Sequence, residues 1–236
     1  MIEGGADGGE LEKDSYEEMF RSYLTEDLLE ELQKIEQPFV CSGINEKRKT
    51  MGPELDKAVT ALIKFITGTD KIGVKRIKSL CTDVLCHFDI YVISLMKLTP
   101  AIKDVSDEIS VWNIFHFLRY LNIPGKKMAG NLFAVEDNPL LFYKKKLKLK
   151  RLYQEPWLEL IKHELPRPLI RLLVPYLSDH ALSGMRDGYL FGDFLFRVFH
   201  FGGLFAVLAL SGIFKLIMDF NLFGLLLSLE SLWFIS

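Results

Sequence analysis

FHFGGLFAVLALSGIFKLIMDF, residues 199–220, is the stretch on which the reading of this 236-residue chain turns. It is either a membrane span or a helix sheltered inside protein. From Val198 to Phe214 there are seventeen residues with no Asp, Glu, Lys or Arg, a little short of the roughly twenty that cross a hydrocarbon core. Lengthening the window brings in Arg197 on one side and Lys215 and Asp219 on the other, and charges inside a bilayer are costly. Gly202, Gly203 and Gly212 fit both readings, because small residues let helices approach closely in membranes and in soluble cores alike. On the residues of this stretch alone, both readings stay open.

The rest of the chain narrows the class. Its length allows one large domain or two small ones with a substantial apolar core. A hydrophobic share of 49% with 25% charged residues is ordinary for a globular chain and excludes disorder as the dominant state. The net charge of −2 says little, but its distribution is uneven. Residues 1–36 hold twelve acidic against three basic residues, whereas 141–171 hold nine basic against three acidic. Three cysteines, Cys41, Cys81 and Cys86, are too few and odd in number for a disulfide framework, and read as free thiols in a reducing compartment. The opening MIEGGADGGELEKDSYEE lacks the basic and apolar regions of a secretory signal, and residues 1–14 are expected to form a disordered acidic tail.

From Ser15 onward the pattern is helical. Ser15 and Glu18 have capping-box spacing, and Tyr16, Met19, Phe20, Tyr23, Leu24, Leu28 and Leu29 recur at helical intervals. A second helix is expected from Pro53 to the terminator Gly68. The row Ile77, Cys81, Val84, Phe88, Tyr91, Leu95, Leu98 steps by threes and fours and predicts one long helix that stops before Pro100. Another is expected from Val105 to Leu121, ending at Pro124-Gly125, after which Pro139, Pro156, Pro166, Pro168 and Pro175 are expected to punctuate shorter helices. No run alternates in the manner of a hairpin strand, so the fold class is all-α, an irregular helical array or bundle.

Catalytic, metal and cofactor chemistry find little support. GTDKIGVK, residues 68–75, has Val74 where a phosphate-binding loop needs Lys, no hydroxyl residue after Lys75, and a helix before it; it reads as a turn between helices. Cys81, Cys86 and His87 are close in sequence, but no second pair completes a tetrahedral set. His116, His163, His180 and His200 are scattered without a local nucleophile or carboxylate. The basic run YKKKLKLKRLY is more pointed. Lys144, Lys145, Lys146, Lys148, Lys150 and Arg151 form a candidate RNA contact or nuclear-import signal, with a solvated helix face, anchored by Leu147 and Leu149, as the plain alternative.

Residues 190–222, LFGDFLFRVFHFGGLFAVLALSGIFKLIMDFNL, carry Asp193-Phe194-Leu195, then Gly202-Gly203, then Leu208-Ala209-Leu210 with Ser211 and Gly212, and finally Asn221-Leu222. In order and spacing this resembles the segment leading into the CCAAT-binding-factor (CBF) domain of the nucleolar complex protein family, in its nucleolar complex protein 4 branch. Upstream, YQEPWLELIKHELPRPLIRLLVPYL is similar to the family's Trp-Leu helix and the proline-punctuated helix after it, so the resemblance covers about residues 150–222. It implies a HEAT/armadillo-like helical repeat array in which the Gly-Gly to Asn-Leu segment is a buried helix of a soluble protein. It also implies a non-enzymatic scaffold, without cofactor or metal, in pre-rRNA processing and assembly of the small (40S) ribosomal subunit. The implied location is the nucleus and nucleolus, and the implied partners are nucleolar protein 14, other pre-ribosomal particle proteins and pre-rRNA. Where the family continues into a Tyr-Pro-x-Phe-Tyr segment, this chain reads FGLLLSLESLWFIS. The expected organisation is therefore the tail 1–14, a helical region 15–140, a region 141–222 resembling the start of the CBF domain, and a non-family apolar tail 223–236, with the array incomplete at the C-terminus. The rival is a small membrane-anchored helical protein with a C-terminal apolar hairpin, preceded by Arg171, Arg186 and Arg197 on the cytosolic side.

Overall fold

A computed structural model describes residues 53–128 and 143–220, and among them the regular elements are helices, with no strand. The expected tail 1–14, the Ser15/Glu18 helix, Cys41, Pro139, Asn221-Leu222 and the apolar tail 223–236 lie outside the described residues. The described residues form two units, one of 53–122 with 126–128 and 143–145, the other of 123–125 with 146–220.

The first unit contains α1 (Pro53–Ile66), α2 (Val74–Asp83), α3 (Phe88–Lys103) and α4 (Glu108–Tyr120). α1 packs on α3, α2 packs on α4, and α1 also touches α4. The helices thus pack on those two places along the chain and, for α1 and α4, three places along, as in a layered helical array. α1 begins at Pro53 and the chain turns at Gly68, as its punctuation predicts. The long helix expected through Ile77–Leu98 is instead two, because the chain leaves the helical path at Val84–His87. A single rod would keep one stripe inside; the break lets Val84 and Leu85 be buried and turns α3 so that every residue from Phe88 to Leu95 is buried. The buried half includes Asp89 and Ser94, and Asp89 Oδ1 accepts from the Ile90 N–H at 2.9 Å. α3 also runs through Pro100, whose missing N–H frees the carbonyl of exposed Met96, where water can satisfy it.

α4 starts at Glu108, three residues later than its apolar pattern suggests, because Asp107 caps it: the carboxylate accepts from the N–H groups of Ile109 at 2.8 Å and Ser110 at 3.1 Å. Asp107→Ala should cost the first unit about 1 kcal/mol, read as a lower urea midpoint with an unchanged slope.

The second unit holds α5 (Lys146–Leu160), α6 (Arg167–Tyr176), a widened π turn (Leu177–Ala181), two 3-10 turns (Leu182–Gly184 and Gly188–Phe191), α7 (Gly192–Phe199) and α8 (Gly203–Phe220). Pro166 caps α6 and Pro168 lies in its first turn, where proline is tolerated. Pro156 and Pro175 do not divide helices as expected: both lie inside them. Pro175 frees the carbonyl of exposed Arg171. Leu149, Leu152, Tyr153, Trp157 and Leu160 form the buried stripe of α5, and Trp157 stacks on Tyr176 of α6 with centroids 5.7 Å apart.

Candidate functional site

The basic run enters α5 at its N-terminus. Lys144, Lys145, Lys146 and Arg151 are exposed, and Lys148 is half-buried. Leu149 is buried but Leu147 is 61% exposed, so only one of the two leucines expected to anchor the helix does so. Lys150 is half-buried and donates from Nζ to the Ser183 carbonyl oxygen at 2.8 Å, a surface hydrogen bond; partial burial and the neighbouring charge of Lys146 hold its pKa below the ordinary lysine value. Arg151 pairs with Glu155 one turn on, at 3.4 Å. The exposed, outward charge is therefore concentrated in Lys144–Lys146. α5 has no acidic residue in its first turn, so lysine charge and the positive end of the helix dipole reinforce each other. That opposition destabilises the bare helix and favours an anion placed there. Replacing Lys144, Lys145, Lys146 and Lys148 by Gln should raise the stability of the second unit by about 0.3–1 kcal/mol per first-turn lysine at low salt; equilibrium unfolding in 20 mM and 300 mM salt checks it, the gain fading at the higher concentration.

The other candidate residues lie along α7 and α8. Asp193 is exposed in the first turn of α7, while Phe194 and Leu195 are buried. Gly202 and Gly203 have φ of 71° and 52°, and a Cβ built on either would meet nothing within 4 Å. Their role is a left-handed turn between α7 and α8, not close helix approach. Close approach belongs to Gly212, where a Cβ would lie 2.7 Å from Ser178 Oγ and 3.0 Å from both Leu195 methyl groups. Farther along, a Cβ on Gly188 would run into the Phe220 ring, so the end of α8 is seated on the turn Gly188–Phe191. Ala209 is buried, Leu208 half-buried and Leu210 exposed.

α8 is not the buried helix that the resemblance implies: 28% of it is buried. One face, Ala209, Gly212, Ile213, Leu216 and Ile217, packs on α6, α7 and the π turn. The opposite face carries Leu204, Val207, Leu210, Phe214 and Met218, each between 51% and 66% exposed. Sequence reasoning missed this row because apolar residues surround the helix, and composition alone does not say which side is covered. By length and composition α8 is the one helix among the described residues that could cross a membrane.

No reactive centre gathers elsewhere in the described residues. The 68–75 loop spends its polar groups on structure: Ile72 N–H donates to Asn113 Oδ1 at 3.2 Å, Asn113 Nδ2 to the Asp70 carbonyl at 2.8 Å, and Ser110 Oγ to the Gly68 carbonyl at 2.8 Å. Cys81 Sγ contacts the Phe117 carbonyl at 3.6 Å and burial pushes its thiol far above the usual range, so it is inert. Burial raises the half-buried Cys86 as well. His116 stacks on Trp112 at 5.7 Å, and His180 lies against Tyr176 at 5.3 Å. No group of three His, Cys, Asp or Glu side chains among the described residues is placed to hold a metal ion. An open groove of about 340 Å³ along α1 and α3 is lined by Thr60, Ile63, Met96 and Lys97, and Lys97 pairs with Asp56 at 2.8 Å. The described residues thus offer surfaces: a basic helix start and an apolar helix face.

Comparison with known proteins supplies the relationship. The chain is 33% identical over 112 residues to the nucleolar complex protein 4 homolog of Gallus gallus, a match that covers 47% of this chain and 22% of that protein. The Homo sapiens homolog is 33% identical over 113 residues, with the same coverage. Over about half of its length, this chain is similar to the nucleolar complex protein 4 homologs. An uncharacterized protein of Caenorhabditis elegans matches at 23% identity over 171 residues, 69% of this chain and 34% of that protein. The chain therefore spans between about a fifth and a third of the length of the relatives it matches. No family model and no solved structure matches it.

Proposed function

We propose that this chain is a non-enzymatic helical scaffold of ribosome biogenesis that works in the nucleolus. The observation that carries the reading is its relationship to the nucleolar complex protein 4 homologs at 30–34% identity over about half of the chain. The physical character of the described residues supports it: packed helices with an exposed apolar face and an exposed basic helix start suit the holding of partners rather than the turnover of a small substrate. In finer terms, the chain acts in pre-rRNA processing and small-subunit (40S) assembly, in company with nucleolar protein 14 and other pre-ribosomal particle proteins. Lys144, Lys145, Lys146 and Lys148 supply contact to pre-rRNA phosphates at the start of α5, or serve as an import signal. The family-motif residues Asp193 to Gly212 set the packing of α7 on α8 and so the shape of the scaffold.

Affinity purification of the tagged chain from growing cells tests the reading, with enrichment of pre-ribosomal proteins, nucleolar protein 14 among them, as the expected result. Recovery of no pre-ribosomal protein overturns it. For the basic run, the quadruple Lys→Gln variant should bind single-stranded RNA more weakly, its log-affinity falling less steeply with log salt by roughly 0.7 per lost contact. An unchanged salt slope with lost nuclear accumulation assigns the run to import.

The exposed apolar face of α8 favours a second reading, a membrane-anchored helical protein. Alkaline carbonate extraction separates the two: an anchored chain stays with the membranes, and a scaffold is released.

A further inference from the structure

The exposed side of α8 holds the largest concentration of uncovered apolar side chains among the described residues, and a patch of that kind marks a contact. Its spacing says what fits. Leu204 and Met218 stand seven residues to either side of Ser211, and Val207 and Phe214 stand four and three residues to either side. These four side chains are more than half exposed, and Ser211 is exposed between them. At 100° per residue all five fall within one narrow stripe, so the row has nearly the same spacing from either end. An isologous pair needs a surface of that symmetry, because a two-fold axis presents each helix to its own reversed image. We propose that two copies of this chain pair through α8, antiparallel, about a two-fold axis at Ser211.

The pairing is complementary in size. Val207 meets the partner's Phe214, small against large, and Leu204 meets the partner's Met218. Ser211, the smallest residue of the row, falls where the two helices come closest, and the side chains at that point set how near the axes approach. Charge agrees with the same register. Asp219 is exposed in the last turn of α8, where the negative end of its own helix dipole opposes it. Asp219 stands eight residues from the axis, and eight residues to the other side is Gly203, where α8 begins with no acidic residue in its first turn. Antiparallel pairing thus brings each Asp219 beside the partner's positive helix start.

The area is sufficient. With Leu210, and Phe201 just before the helix, six apolar side chains are at least 51% exposed. At roughly 100 Å² apiece, two copies in contact withdraw on the order of 1,200 Å² from water, the lower edge of the range for specific interfaces. Lipid fits less well, since Asp219 borders the row and the opposite side of α8, with Ala209, Gly212, Ile213, Leu216 and Ile217, is committed to protein. Pairing of this kind does not depend on the ribosomal reading, since it concerns only the contact of the chain with itself.

Sedimentation of the full 236-residue chain, without lipid or detergent, should show a reversible monomer–dimer equilibrium that closes at two copies. V207D/F214D, altered only on the exposed face, should weaken pairing by about a hundredfold or more, because each Asp would be buried unpaired. Its circular dichroism should remain that of the unaltered monomer. Asp219→Asn leaves the row intact and should weaken pairing by about three- to thirty-fold at low salt, with a smaller effect at high salt, as two helix starts per dimer lose their charge. On oxidation Ser211→Cys should give a covalent dimer beyond what the unaltered chain gives; Met218→Cys, about 21 Å from its symmetry mate along the pair, should not. If V207D/F214D fails to fold, the cysteine pair decides. A chain that stays monomeric at high micromolar concentration overturns the proposal, as does a dimer that survives V207D/F214D in a folded chain. Equal cross-linking at 211 and 218 overturns it too, as does pairing indifferent to Asp219→Asn at low salt, or an apolar face that binds phosphatidylcholine vesicles in place of a second copy.

Discussion

Trp157→Ala should remove about 3–5 kcal/mol from the second unit, leaving much of it unfolded at 37 °C. The indole is fully buried on α5, stacked on Tyr176 at 5.7 Å and edge-on to Tyr153 at 6.3 Å. It therefore joins the helix that begins with the lysines to the helix that supports α8. Truncation removes the transfer free energy of a large aromatic group and leaves a cavity that two rings and the surrounding leucines fill only in part. A domain of this size has a total stability near the low end of about 5–15 kcal/mol, so the loss is comparable to the whole. Urea unfolding followed by circular dichroism measures it. Trp157→Phe, which keeps a ring in the stack, should cost less than half as much, and Leu147→Ala, at an exposed position of the same helix, should stay within about 0.5 kcal/mol.

Gly212→Leu should be comparably damaging for the opposite reason. A side chain at this position has no room: its first carbon already lies 2.7 Å from Ser178 Oγ and 3.0 Å from the Leu195 methyl groups. Ser178 is not free to yield, because it is buried and its Oγ donates to the Val174 carbonyl at 2.9 Å. Intrinsic preference would favour a non-glycine residue within a helix by about 1 kcal/mol. Overpacking by four carbons works against that gain with a penalty of about 3 kcal/mol or more, so the sign is set by the contact. The expected result is a lowered midpoint together with lost protection from proteolysis over α7 and α8. Ser211→Leu, one residue away and exposed, has no such neighbour and should leave the unit's stability nearly unchanged, which separates crowding from a general effect of added bulk.

The all-α class was legible from apolar spacing, and α1 from Pro53 and Gly68, because those signals act locally. The break at Val84–His87 was not, since CTDVLCH contains no proline or glycine; what accompanies it is the burial of Val84, Leu85 and all of Phe88–Leu95 against distant residues. Pro100, Pro156 and Pro175 misled in the other direction. A proline forfeits one backbone bond, and where the freed carbonyl belongs to exposed Met96 or Arg171 water replaces it at little cost. The motif residues around α8 were visible as a pattern, but their roles were not. Gly202-Gly203 and Gly212 look alike in sequence, yet the first pair serves backbone torsion and the last serves contact. In the basic run, sequence could not separate Lys150, hydrogen-bonded to Ser183, from the lysines that face outward.

The turn at Gly202-Gly203 makes the course of α8 a matter of chirality. Two successive residues there occupy a backbone region that is the natural territory of D-amino acids, and most L side chains, Asn and Asp excepted, would strain it by about 1–2 kcal/mol per residue. Nothing around either glycine blocks added bulk, so handedness, not space, restricts both positions. Among replacements Asn and Asp, whose short side chains bond the local backbone, should be tolerated best and β-branched residues worst: selection at this corner would act on backbone stereochemistry rather than on hydrophobicity or charge.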